Sequence, residues 1–138
     1  MTKSLSALLA PPTEADVSAA VSRFETLVRA RFGTNVARIL VFGSRARGDA
    51  RPDSDVDVAV VFRNQPPATP PIVLELGEIA YMPLVEFGVE IAPVPFTEVE
   101  LADPSRSTNP ALARVAKLDG LEFRATTRNL KVSDASAP

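Results

Sequence analysis

Apolar residues recur at Val17, Val21, Phe24 and Val28, a helical spacing that begins after Pro11 and Pro12 and stops at Gly33. Thr13 and Asp16 stand where a capping box would place them, so the pattern predicts an amphipathic helix resting on a core. Residues 36–42, VARILVF, are rich in β-forming side chains and run straight into Gly43 and Ser44. That predicts a strand ending in a turn of small residues. After the loop GDARPDS the pattern changes to strict alternation in SDVDVAVV, residues 54–61. Val56, Val58 and Val60 share one face of the predicted strand, while Asp55 and Asp57 share the other. Two like charges on one strand face need a reason.

Beyond this point proline and glycine punctuate the chain. RNQPPATPP, residues 63–71, predicts a loop. Ile72, Leu76, Ile79 and Ala80 predict a second helix running toward Phe87, weakened by Gly77, kinked or ended by Pro83 and closed by Gly88. VEIAPVPF opens as a third strand whose prolines confine it to a sheet edge or end it. Asn109 and Pro110 are a cap and first-turn pair for a short helix to about Leu118, Gly120 closes it, and LEF is a last short strand. The expected organisation is an N-terminal arm over 1–12, one domain over 13–125 and a small polar tail over 126–138. Strands alternating with helices predict a small α/β or α+β sheet domain.

Composition narrows the chemistry. The chain has 138 residues, 46% of them hydrophobic and 23% charged, which is a soluble globular balance with room for one core but not for a separate substrate domain. No apolar run approaches the ~18 residues of a membrane span, and the apolar patch in MTKSLSALLAPP is short for a signal-peptide core, so the expected location is cytoplasmic. A formal net charge of -2 argues against general nucleic-acid binding, which needs an excess of Lys and Arg. Without cysteine or histidine the usual zinc sites and disulfides are excluded. A metal would have to be held by carboxylate oxygens, which favours Mg²⁺ or Mn²⁺.

Those constraints explain the paired aspartates. Two residues apart on one strand face, the carboxylates of Asp55 and Asp57 stand roughly 7 Å apart and can converge on one divalent ion, which removes their repulsion. Gly43 and Ser44 are separated from Asp55 by ten residues, and Gly43 permits close backbone approach. Beside it, Ser44 sits where a short helix could begin and offers a hydroxyl and N–H groups to an anion. A phosphate cradle facing a two-carboxylate metal face reads most economically as a site for a metal-bound nucleoside triphosphate. Singly, each piece is more often an ordinary turn or a solvated face.

Together, FGSRARGDARPDSDVDVAVV from Phe42 to Val61 resembles the signature of the DNA polymerase beta-like nucleotidyltransferase superfamily. It is most similar to the minimal, antitoxin-type (MntA-like) members, which carry Gly-Ser, ten residues, then Asp-x-Asp. The resemblance is strong over 36–62 and rests on the order of elements over 72–124. It implies a small mixed sheet with helices packed mainly on one face, and a third carboxylate flanked by apolar residues on a later strand. Glu90 in GVEIAP fits that place, where the family more often has Asp; none of Glu86, Glu98 and Glu100 lies between apolar neighbours in a strand-like run.

The implied site comprises Asp55, Asp57 and Glu90 as catalytic and metal-binding residues, with Gly43, Ser44, Arg45 and Arg47 binding the nucleotide. Two Mg²⁺ ions and ATP are the implied cofactor and substrate. Asp53 is expected to tie the loop to backbone N–H groups and Asp49 to be surface. The resemblance further implies transfer of AMP to a tyrosine of a helical HEPN-type toxin. Nucleotidylation of a small molecule and a catalytically silent binding module stand as the alternatives.

Overall fold

The computed structural model describes residues 10–66, 70–124 and 127–131. The first helix, α1 (Glu14–Phe32), begins with the predicted capping box. The Asp16 N–H donates to Thr13 Oγ1 at 3.1 Å, and the Thr13 N–H donates to the Asp16 carboxylate at 2.9 Å. Helix α1 ends at Gly33, and a single 3₁₀ turn leads into β1 (Val36–Phe42). One turn of helix, α2 (Ser44–Arg47), and a loop separate β1 from β2 (Val56–Phe62). Helix α3 (Ile72–Phe87) and strand β3 (Ile91–Thr97) follow. The chain continues through α4 (Glu98–Ala102), a 3₁₀ turn, α5 (Pro110–Asp119), β4 (Leu121–Arg124) and β5 (Thr127–Lys131).

The sheet has the order β3-β2-β1-β4-β5. Strand β2 runs antiparallel to β1 and parallel to β3, and β4 and β5 extend the other side antiparallel. This mixture decides where chemistry can happen. Parallel β2 and β3 bring their N-terminal ends together, and antiparallel β1 delivers its C-terminal end to the same sheet edge.

The long helices α1 and α3 cover one sheet face, and Val56, Val58, Val60, Ile39 and Val41 pack beneath them with Phe24 and Leu76. Ion pairs from Arg23 to Glu86 and from Arg31 to Glu75 tie the two helices together. On the opposite face Leu40, Phe42, Ala59, Val61 and Phe96 pack against Leu101 of α4 and Ala113 and Ala116 of α5. The expectation of helices mainly on one face therefore describes the two long ones, while a shorter pair covers part of the other. Beyond Asp57 the strand is buried on both sides, with Ala59 and Val61 fully enclosed. The face bearing the aspartates is thus not a solvated strand face. Only its end is open.

Several elements differ from the expected ones for physical reasons. Pro83 lies inside α3 and does not end it. Its ring is buried, so apolar packing offsets the N–H that proline cannot supply to the preceding turn. Pro93 and Pro95 sit in β3, an edge strand, as expected; two residues apart, they turn the same side of the strand toward the open edge. Residues 127–131, expected in the tail, form β5. Residues 1–9 of the expected arm and 132–138 of the expected tail lie outside the described residues. Helix α4 was not anticipated, although Thr97 and Glu100 form a capping box that signals it.

Candidate active site

Asp57 is the second residue of β2 and pairs across the ladder with Phe42. Asp55 stands just before β2, exposed, and Glu90 just before β3. The parallel register matches Val56 with Ile91 and Asp57 with Ala92. One step back, it sets Asp55 beside Glu90, where the Val56 N–H donates to the Glu90 carbonyl at 2.9 Å. Residues 55, 57 and 90 therefore point to one face. Ala92, beside Asp57, supplies almost no side-chain bulk, so the space between the carboxylates stays open.

The charges crowd. Burial and then the neighbouring charge of Asp55 hold Asp57 above the ordinary carboxylate range, against a smaller opposing pull from Arg47. A side-chain hydrogen bond with Asp55 raises Glu90, with the Asp55 charge and slight burial adding to it. Two carboxyl groups in such contact need a proton or a cation between their oxygens. Among the described residues no three carboxylates close around a single point. Asp55 and Glu90 face each other, while the Asp57 carboxylate lies against Gly43, where an added Cβ would fall 2.3 Å from its Oδ2. An oxygen-only donor set of three acids, with Asp57 and Glu90 raised in proton affinity, fits a hard divalent ion, which would replace the proton and relieve the crowding.

The Gly-Ser turn abuts this face. Gly43 has φ 72° and ψ -148°, a conformation open essentially to glycine alone. The carbonyl of Ser44 accepts the N–H groups of Gly48 and Asp49 at 3.0 and 3.1 Å. The structure gives its half-buried hydroxyl no protein partner among the described residues, so that group remains available to a ligand. Replacing Ser44 by Ala should leave the turn, and hence the melting temperature, essentially unchanged. Loss of a hydrogen bond to a charged phosphate, worth ~1.5–3 kcal/mol, should lower transfer roughly ten- to hundredfold. An unchanged rate in a steady-state assay would reduce Ser44 to turn chemistry.

The two arginines part company. Arg47 is half-exposed, bonds Asp119 at the end of α5 at 2.9 Å and Asp49 at 3.3 Å, and is the cation that acts on Asp57. Arg45 is 8% exposed and turns into the loop, where Nη2 donates to the carbonyls of Ser54 at 2.8 Å and Pro52 at 3.2 Å. Its guanidinium is engaged by backbone and not presented to a ligand. Asp53 is exposed, and the loop tie expected of it is made by Ser54, whose hydroxyl accepts the Arg51 N–H at 3.0 Å. Asp49 is not simply surface, since it holds Arg47. Asp119 was missed by sequence reasoning, because the contact spans 72 positions and only the docking of α5 creates it. The rival acids fall elsewhere: Glu86 pairs with Arg23, and Glu98 and Glu100 start α4 at the far end of β3.

A cleft of about 320 Å³ opens at the carboxylate end, bordered by Pro11, Pro12, Ser54, Leu84 and Glu90. A larger one of about 700 Å³ lies at the opposite end of β2 and β3, beside Phe62 and Thr97. The larger cleft contains none of the three acids. Paired carboxylates on parallel strand ends, beside a glycine turn that ends an antiparallel neighbour, make up a site suited to metal-assisted chemistry on a polyphosphate.

The chain belongs to the nucleotidyltransferase domain family, whose profile matches residues 21–116. It is 34% identical over 86 residues to the Methanocaldococcus jannaschii protein named "Putative protein adenylyltransferase MJ1305", a match covering 62% of this chain and 56% of that one. The match thus spans little more than half the length of that relative. Among solved structures, a toxin–antitoxin with AMP-PNP superposes with a TM-score of 0.50 at 17% identity, covering 80% of this chain and 74% of that one. A Sulfolobus solfataricus protein described as a "putative nucleotidyltransferase" gives 0.46 at 18% identity, over 87% of this chain and 96% of that one. The first of these supports the polymerase beta-like fold. Among the described residues no helix is long and apolar enough to cross a membrane.

Proposed function

We propose that this chain transfers AMP from ATP to a tyrosine hydroxyl of a helical partner protein, a HEPN-type toxin that it thereby silences. The carrying observation is the convergence of Asp55, Asp57 and Glu90 on one sheet edge beside the Gly43–Ser44 turn. The three acids would hold Mg²⁺, two ions in the reading drawn from the family, and the metal when bound supplies positive charge to the triphosphate. Gly43 and Ser44 lie against the phosphates, and Arg47, exposed beside Asp57, meets the departing pyrophosphate. Glu90, whose proton affinity is raised, accepts the proton of the acceptor hydroxyl. The hydroxyl oxygen attacks the α-phosphorus, the bond between α-phosphorus and bridging oxygen breaks, and pyrophosphate leaves.

A protein acceptor is supported by the surface next to the cleft. Tyr81, Met82 and Val85 are exposed on the last turns of α3, and Leu84 of the same helix borders the cleft beside Glu90. Apolar surface of this kind suits a macromolecular partner better than a polar small molecule. The name of the Methanocaldococcus jannaschii relative agrees with a protein acceptor. The test is intact-mass spectrometry of a HEPN ribonuclease encoded beside this chain, incubated with Mg²⁺-ATP and either wild type or Glu90→Gln. A gain of one or more AMP units with wild type alone is expected. Inhibition of the ribonuclease with no mass gain would replace transfer by simple binding.

A further inference from the structure

Arg45 is a buried cation with an unusual set of neighbours. Its Nη2 serves two loop carbonyls, those of Pro52 and Ser54. Its Nη1 lies 3.8 Å from the carboxylate of Glu14, which is 93% exposed and so a weak, screened partner. Its Nε is buried without a hydrogen bond. A buried guanidinium held mainly by carbonyls adds little to stability that a smaller apolar side chain would not. Its geometric effect is specific: Arg45 is bonded covalently to Ser44 of the turn and noncovalently to Ser54, the residue that precedes Asp55.

We infer that Arg45 is the positioning residue of the metal face, clamping the loop over 48–55 so that Asp55 stands at a fixed place relative to the Gly43–Ser44 turn and Glu90. Asp55 needs such a clamp. It precedes the paired length of β2, whose ladder to β3 begins at Val56, and the loop's other ties are those between Arg51 and Ser54 and those at its start, from Gly48 and Asp49 to Ser44 and from Asp49 to Arg47. Lysine has donors enough for two carbonyls, but its side chain is one bond shorter than the path to Nη2 and lacks the planar group that fills the loop. This rests on the proposed reading of Asp55 as a metal ligand.

The experiment uses Mn²⁺ alone as probe, titrated into metal-free wild type, Arg45→Lys and Asp57→Asn and followed by paramagnetic resonance. Amide exchange across residues 48–57 is measured in parallel. Arg45→Lys is expected to exchange faster over 50–55 with α1 and β1 unaltered, and to bind Mn²⁺ about ten- to hundredfold more weakly, the usual effect of losing a group that orients a ligand. Faster exchange with unchanged Mn²⁺ affinity would overturn the proposal. So would unchanged Mn²⁺ affinity with weaker binding of ATP, because Arg45 would then contact phosphate directly. Should Arg45→Lys fail to fold, Arg45→Gln, which keeps an amide donor without the charge, is read the same way. Wild type that binds no Mn²⁺, indistinguishable from Asp57→Asn, would instead defeat the metal-face reading itself and this proposal with it.

Discussion

Replacing Asp57 by Asn is expected to abolish transfer while making the metal-free protein more stable. Both effects come from one carboxylate. As a ligand, Asp57 supplies a hard anionic oxygen that an amide does not replace. Losing several kcal/mol of charge stabilisation corresponds to a rate loss of ~10³-fold or more. In the folded chain the same group is pushed above its ordinary value by burial and by Asp55. A raised carboxylate pKa means that folding disfavours the ionised form. Stability is therefore lost as pH rises from the unfolded value toward the raised folded one, and the penalty persists in full above it. Asn, equal in shape and neutral, should raise the melting temperature in EDTA at neutral pH, and the advantage should vanish below the ordinary carboxylate range. Mg²⁺ should raise the melting temperature of wild type and not of Asp57→Asn, by linkage to the folded state alone. Thermal melts with and without Mg²⁺, at two pH values, check all three signs. Full activity in Asp57→Asn would remove it from the site.

Much of this site could be read before any coordinates, because its parts are local in sequence. A strand running into Gly43 and Ser44, a loop, and aspartates two apart on the next strand all fall within twenty residues, and each leaves a composition or period signal. Glu90 followed from the third carboxylate that the family resemblance implies on a later strand, but its place beside Asp55 depends on β2 and β3 being parallel, which no local pattern encodes. The same limit explains Arg45 and Arg47. Two positions apart in one short helix, they look alike in sequence, yet one turns into the loop and the other faces solvent and Asp119. The persistence of α3 through Pro83 and the appearance of β5 are tertiary outcomes too, decided by burial and by pairing with β4.

Gly43→Ala is expected to inactivate the protein for a reason separable from strain. At φ 72° and ψ -148° an alanine costs about 1–3 kcal/mol, because its Cβ collides with its own backbone. The new Cβ would also fall 2.3 Å from Asp57 Oδ2 and 3.3 Å from its Cγ, so the carboxylate must leave its place. Misplacing a reacting group by about 1 Å can cost ~10²-fold. Gly33 separates the two effects. It has φ 61° and ψ -139°, nearly the same backbone conformation, at the other end of β1, and nothing lies within 4 Å of its would-be Cβ. Gly33→Ala should therefore lose similar stability and keep its activity per folded molecule, whereas Gly43→Ala should lose about a hundredfold or more at a temperature where both remain folded. Circular dichroism fixes the folded fraction and transfer to the acceptor gives the rate. Equal activity in the two variants would mean that glycine is needed at Gly43 only for its backbone, and that the contact between the turn and Asp57 plays no part in the chemistry.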